Sequence, residues 1–266
     1  MDMTANADDP GPQKLKVPSA MVLNDGREWN RSHMPAELEA LLNDPRVQAL
    51  QENSPGFPRA RIVLPPENPP RPGESRYMRC YVENRGGGGE PVWVNVPKDL
   101  VSLFNATGGG LGFAAISERP MIQEKARRPK RVQDIHPYRG WYVASAKAVE
   151  LLRTFEPDII ETLEVDWVYS DGAKREGAVF LDICRCIPAL DYRNSEVVFE
   201  KHDGATHLFG IPRLMTLRPD IDPAFHLFRD DYRRDAFFIS RDLARAWNGA
   251  KLTGLAFVGL AGFEML

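Results

Sequence analysis

Two serines stand where a short apolar run gives way to helical spacing, Ser145 in "VASAK" and Ser240 in "FISRD". A serine at a strand-to-helix turn is where a hydrolase nucleophile would sit, but that turn needs the glycines of G-x-S-x-G, which both stretches lack. The simpler role is an N-cap, the hydroxyl accepting from an otherwise unpaired backbone N–H for about 1 kcal/mol. Asp242, one turn into the second helix, suits the dipole of that helix. Cys184 and Cys186 form a C-x-C, yet zinc asks for four ligands, and His202 and His207 lack the glutamate and four-residue step of H-E-x-x-H. The three cysteines, Cys80 included, read as buried thiols in a reducing compartment. Asp158, Glu161, Glu164 and Asp166 lie in "EPDIIETLEVDW"; strand spacing puts Glu161 on the opposite face from the other three, so no acid/base pair forms and a solvated face is expected. A phosphate loop needs strand, glycines, then helix. Gly86 to Gly89 instead separate two expected strands, and Gly108 to Gly110 follow an expected helix. The basic run Lys125, Arg127, Arg128, Lys130, Arg131 has no interleaved aromatic residue and reads as a solvated linker. No catalytic, cofactor-binding or metal-binding residue is assigned.

The chain has 266 residues, 43% hydrophobic and 27% charged, with 34 basic against 37 acidic side chains and a net charge of −3. That length allows one large domain or two small ones, and near-neutrality leaves nucleic acid no electrostatic footprint. No apolar stretch reaches the roughly 18 residues that cross a bilayer. The opening "MDMTANADDPGPQKLK" is acidic where a signal peptide is basic and then apolar, so a cytoplasmic protein away from the membrane is expected.

The serines belong to a repeated plan of strand, cap, helix, turn and strand. In "FFISRDLARAWNGAKLTGLAF" the residues Leu243, Ala246, Trp247 and Ala250 follow Ser240 at the offsets at which Ala148, Leu151, Leu152 and Phe155 follow Ser145. A fainter copy begins near Pro97. Strands are expected at 141–144, 159–168, 178–186, 195–201, 213–217, 236–239 and 255–260. Upstream, a short helix is expected after Ser32, as a lid or arm and not part of a core. Prolines 55, 58, 65, 66, 69, 70 and 72 impose an extended path. Tyr77 to Val82 and "VWVNV" are expected to pair as a hairpin across the glycines. The organisation that follows is a loose tail at 1–24, an N-terminal lobe at 25–135 with the proline-rich arm and hairpin, and a C-terminal domain at 136–266. The fold class is α+β, a largely antiparallel or mixed sheet with two or three packed amphipathic helices.

Three stretches carry a family likeness: "GWYVASAKAVELLRTFEPDIIETLEV", "GAVFLDICRCIPALDYRNSEVVFE" and "FHLFRDDYRRDAFFISRDLARAWNGAKLTGLAF". Together, Gly140 to Phe257 resemble a family of bacterial immunity proteins found beside polymorphic toxins, long known only as a domain of unknown function. The resemblance implies a protein that holds a cognate toxin inactive inside the producing cell. It implies no catalytic residue, no cofactor and no enzymatic activity. The expected partner is a protein toxin, with a homo-oligomer left open. Loops of mixed charge holding tyrosine and arginine are the expected contact surface: Arg229, Asp231, Tyr232, Arg233 and Arg234 in one, Asp191, Tyr192 and Arg193 in the other. The alternative is an enzyme or small-ligand binder whose site is assembled from distant residues such as Tyr169, Asp171, Arg185, Asp191, Tyr192 and Arg193.

Overall fold

The computed structural model of the chain describes residues 20–22, 28–30, 35–52, 60–82, 92–95, 109–114, 116, 119–123, 132–138, 141–202, 205–210, 214–233 and 237–261. In chain order they form β1 (Ala20–Val22), β2 (Glu28–Asn30), α1 (Ala36–Leu42), α2 (Pro45–Glu52), β3 (Ala60–Leu64), β4 (Tyr77–Val82), β5 (Val92–Asn95) and β6 (Met121–Gln123). Next come β7 (Ile135–Tyr138), β8 (Trp141–Ala144), α3 (Ala146–Phe155), β9 (Ile160–Glu164), β10 (Asp166–Val168), β11 (Val179–Ile183) and β12 (Cys186–Ile187). The last are β13 (Val197–His202), β14 (Ala205–Gly210), β15 (Leu227–Asp230), β16 (Phe237–Ser240), α4 (Arg241–Gly249) and β17 (Leu255–Gly259). Most pairs are antiparallel, with parallel pairing at β6–β10 and β12–β15, so the fold is α+β as expected.

The strand–serine–helix–strand plan forms at both expected places. Ser145 accepts from the Ala148 N–H and Ser240 from the Leu243 N–H, each at 3.2 Å and each from an extended backbone. The likeness extends to topology. β8 and β9 flank β11 and run antiparallel to it; β16 and β17 flank β4 and run antiparallel to it. Each helix therefore joins two strands that leave a gap one strand wide. In the first unit a later strand, β11, fills the gap; in the second an earlier strand, β4, does so. The stripes Ala148, Val149, Leu152 and Leu243, Ala244, Trp247 enter one shared core. That core also takes Leu181 and Ile183 from β11 and Met78, Cys80, Phe237 and Ile239 from β4 and β16, so it lies against both sheets and not against one.

Chain order and spatial order part company at β4. A strand has two hydrogen-bonding edges, and both edges of β4 are taken, so the expected hairpin with β5 does not form; β5 pairs with β6. Pairing also crosses the expected division near residue 135, for β3 joins β13 and β6 joins β10. The helix expected after Ser32 is α1, followed at once by α2, where the Asp44 carboxylate accepts from the Arg46 N–H at 2.8 Å. Leu38 and Val47 are fully buried, which makes this pair part of a second core with Phe199, Phe228 and Phe238 instead of a lid. Residues 214–217 make one isolated bridge instead of a strand, because their backbone groups bond to three separate places: Glu196, Leu260 and Asp191. Of the expected tail at 1–24, Ala20–Val22 form β1, paired with β2. The rest of that tail, the glycine tip at 86–89, the helix of the copy near Pro97 and the basic run at 125–131 lie outside the described residues. Among the described residues no helix is long and apolar enough to cross a membrane.

A third core surrounds Trp167 and Phe180. At its rim the Arg175 guanidinium lies 5.3 Å over the Trp167 ring and 2.9 Å from His136 Nδ1, while also donating to the Gln133 carbonyl. A guanidinium only donates, so this imidazole nitrogen accepts and the ring is neutral. Burial, with Arg175 adding to it, holds the His136 pKa down to about 3.

Two outcomes are expected from this framework. Ser145→Ala should cost about 1 kcal/mol in denaturant unfolding, the worth of a cap. Ser240→Ala should cost more, about 2 kcal/mol, because Ser240 is fully buried and its hydroxyl also meets His226 Nδ1 at 2.7 Å. His136 titrates near 6.5 when unfolded and about 3 when folded, so the folded state binds fewer protons between those values. Its contribution is complete above about 6.5 and is lost as the pH falls toward 3, by up to about 1.4 kcal/mol per unit. The drop in unfolding free energy from pH 7 to pH 5 should therefore shrink by about 1 kcal/mol or more in His136→Asn, which keeps an acceptor but does not titrate.

Candidate functional site

The "FHLFRDDYRRD" stretch places its charges at two depths. All four residues of β15 are buried, the strand being flanked by β12 and β16. Arg229 is 2% exposed and Asp182, on β11, is 0% exposed; they pair at 3.1 Å. Arg229 also donates through Nε to the Ile183 carbonyl at 3.1 Å, and its guanidinium lies 5.3 Å over the Tyr142 ring. Asp182 accepts further from the N–H groups of Gly110, Gly112 and Ile183 at 2.8–2.9 Å. Gly110 and Gly112 hold φ of +87° and +69°, and a Cβ there would collide with Cys186 Sγ and the Glu161 carboxylate respectively. The glycine loop does cradle an anion, and that anion is the protein's own side chain.

Asp230 joins two loops. Its carboxylate, 1% exposed, accepts from the Ala189 and Leu190 N–H groups and the Tyr192 hydroxyl on one side. On the other it takes the Tyr232 and Arg233 N–H groups at 3.2 and 2.8 Å. Burial pushes the Asp230 carboxyl up to about 6 against the pull of these donors, so it is ionised and accepting at neutral pH. The Tyr192 and Tyr232 rings meet edge to face at 6.3 Å. Asp191 fixes the neighbouring turn by accepting from Asn194 N–H and Nδ2.

The two stretches singled out in the sequence thus form one surface, but not every residue faces outward. Arg229 and Tyr192 point inward, and burial raises the Tyr192 hydroxyl pKa far above its ordinary value. Asp191, Asp231, Tyr232 and Arg233 are half-buried, Arg193 is exposed, and Arg234 lies outside the described residues. The residues of the alternative site separate: Tyr169 belongs to the third core, Tyr192 to the second, and Arg185 pairs with the buried Glu156 at 2.6 Å. Of the acidic stretch, Glu164 and Asp166 both meet Arg119, Glu161 accepts from the Phe113 N–H, and Asp158 is exposed. The three cysteines are buried, and burial raises the Cys80 and Cys184 thiols far above their ordinary range. Among the described residues no cluster of three or more His, Cys, Asp or Glu could hold a metal ion.

The sequence profile of the immunity protein family Imm11 matches residues 20–261. The chain belongs to that family. No curated protein matches it. The Imm11 match begins well before Gly140, so the family includes β3 and β4 and the arm between them as well as the stretch in which the likeness is visible by eye. Sequence reasoning passed over Asp182, Asp230 and Asn194. For Asp182 a signal was present: it stands inside the apolar run "VFLDI", which reads as a buried strand.

Because Asp182 and Arg229 are both buried, removing one leaves the other uncompensated. Arg229→Met should destabilise the protein by about 3–5 kcal/mol in denaturant unfolding. The double variant with Asp182→Asn should lose less than the sum of the two single losses, by about 1 kcal/mol or more.

Proposed function

We propose that this immunity protein neutralises a cognate protein toxin in the cytoplasm by binding it one to one, as part of a polymorphic toxin system used in competition between bacteria. Family membership supports the immunity role. The observation that carries the binding mode is Asp230, which bonds the 189–192 segment to Tyr232 and Arg233, while Asp191 fixes the turn through Asn194, so that the two loops are preordered together. On this reading Arg193, Asp231, Tyr232, Arg233, Arg234 and Asp191 touch the toxin, while Arg229 and Tyr192 shape the surface from beneath. Tyrosine and arginine held in place lose little freedom on binding, which is what makes such residues interface anchors. At a net charge of −3 there is no strong global field to steer a partner, so affinity rests on these local contacts.

The test is co-expression with the toxin encoded beside this gene, together with affinity measurements on an inactivated form of that toxin. Cells should survive only when the immunity protein is present, and equal killing with and without it would sink the reading. Alanine at Arg193 or Arg233 should weaken binding by about 1–2 kcal/mol each with the unfolding midpoint kept, and Tyr232→Ala, which also removes packing on the second core, should weaken it similarly at a lower midpoint. Changes all below about 0.5 kcal/mol would move the interface elsewhere.

A further inference from the structure

We propose that the proline-rich connection between β3 and β4 is a third part of the partner-binding surface, an ordered arm that enters a groove of the toxin lined by aromatic rings and carrying a carboxylate. This rests on the toxin-binding reading. The arm is "PPENPPRPGE", residues 65–74, and none of it is helix or strand. Pro65, Glu67, Asn68, Pro69, Arg71, Pro72, Gly73 and Glu74 are exposed, with Pro66 and Pro70 half-buried. A segment so exposed gains little from burial, yet its root is tied down. Asn68 donates through both its N–H and its Nδ2 to Asn194 Oδ1, each at 3.0 Å, and the Glu67 N–H donates to the Arg193 carbonyl at 3.1 Å. Those acceptors belong to the turn that presents Arg193, so the arm and the loop surface are one continuous face.

Its chemistry specifies the partner. Prolines fix φ and remove backbone donors, so the arm is stiff before binding and loses little freedom when it docks. Proline rings are recognised by aromatic-lined grooves, as other proline-rich segments are. The Arg71 side chain is 81% exposed, and its ion pair with Glu74, itself 63% exposed, spans 3.5 Å. Such a pair is weak, and a carboxylate in a desolvated groove displaces it. The neighbouring pair of Arg193 with Glu67, at 3.6 Å and more than 60% exposed on each side, is equally open to exchange.

The experiment uses the full chain and the inactivated toxin encoded beside its gene. Replacing Pro69, Pro70, Arg71 and Pro72 together by alanine should weaken affinity by about tenfold or more, mainly through faster dissociation, with the fold kept at a lower unfolding midpoint, since the loss of three prolines frees the unfolded chain. Asn68→Ala, which removes the Nδ2 bond and leaves the two backbone bonds of the tie, should give a smaller loss of less than about threefold. Should the fourfold variant not fold, Arg71→Glu decides, since its side chain lies in solvent; a loss of about tenfold is expected. Binding within about twofold of the unaltered chain, in the fourfold variant or in Arg71→Glu, overturns the proposal while leaving the toxin-binding reading intact. If the unaltered chain itself does not bind, the toxin-binding reading falls and this proposal with it.

Discussion

Asp182 holds a negative charge where water does not reach, and much of the surrounding structure answers that charge. A buried carboxylate persists only if it is paired and hydrogen-bonded. Here the cation is Arg229 and the donors are backbone N–H groups of Gly110, Gly112 and Ile183. The partners come from three places, β15, the 110–112 loop and β11 itself, so the charge fixes their relative positions. β11 lies in the four-stranded sheet and β15 in the five-stranded one, and the Asp182–Arg229 contact ties the two sheets together. The glycine loop is drawn in with them, because only residues without a Cβ bring their amides so close.

The same logic recurs at Asp230 and Glu156. Asp230 bonds one loop to another, and Glu156, itself buried, accepts from the His226 and Leu227 N–H groups while pairing with Arg185. Three carboxylates thus order segments that have no regular structure of their own. Irregular backbone leaves N–H groups without ladder partners, and a carboxylate can take several at once. This gives the loop surface a rigid underside, while its rim carries Arg193, Asp231, Tyr232 and Arg233.

What could be read from the sequence was local. The caps at Ser145 and Ser240 and strands β8, β16 and β17 follow from spacings within a dozen residues and form where expected. The buried stripes keep Ala148, Leu152, Leu243 and Trp247 but take Val149 and Ala244 in place of Leu151, Phe155, Ala246 and Ala250 as buried members. The insertion of β4 between β16 and β17, and of β11 between β8 and β9, depends on pairings between residues far apart in the chain, which periodicity does not encode. Charge misled for a related reason. Arg229 and Tyr192 have the composition of an interface, and only the packing around them shows that they face the interior. Asp182 stood in an apolar run, "VFLDI", and its burial was legible there, though not its partner.

The position of β4 also sets an order of events at the ribosome. Its neighbours span residues 237–259, so when Tyr77–Val82 leaves the exit tunnel neither of its pairing partners has been made. Both of its edges, with Met78 and Cys80 that will later be fully covered, must wait through the synthesis of well over half the chain. Open edges of this kind invite pairing with other chains. The strap that closes the fold is therefore also its slowest-maturing part, and a nascent chain stays vulnerable to misassembly until the final helix and strand have emerged to cover it.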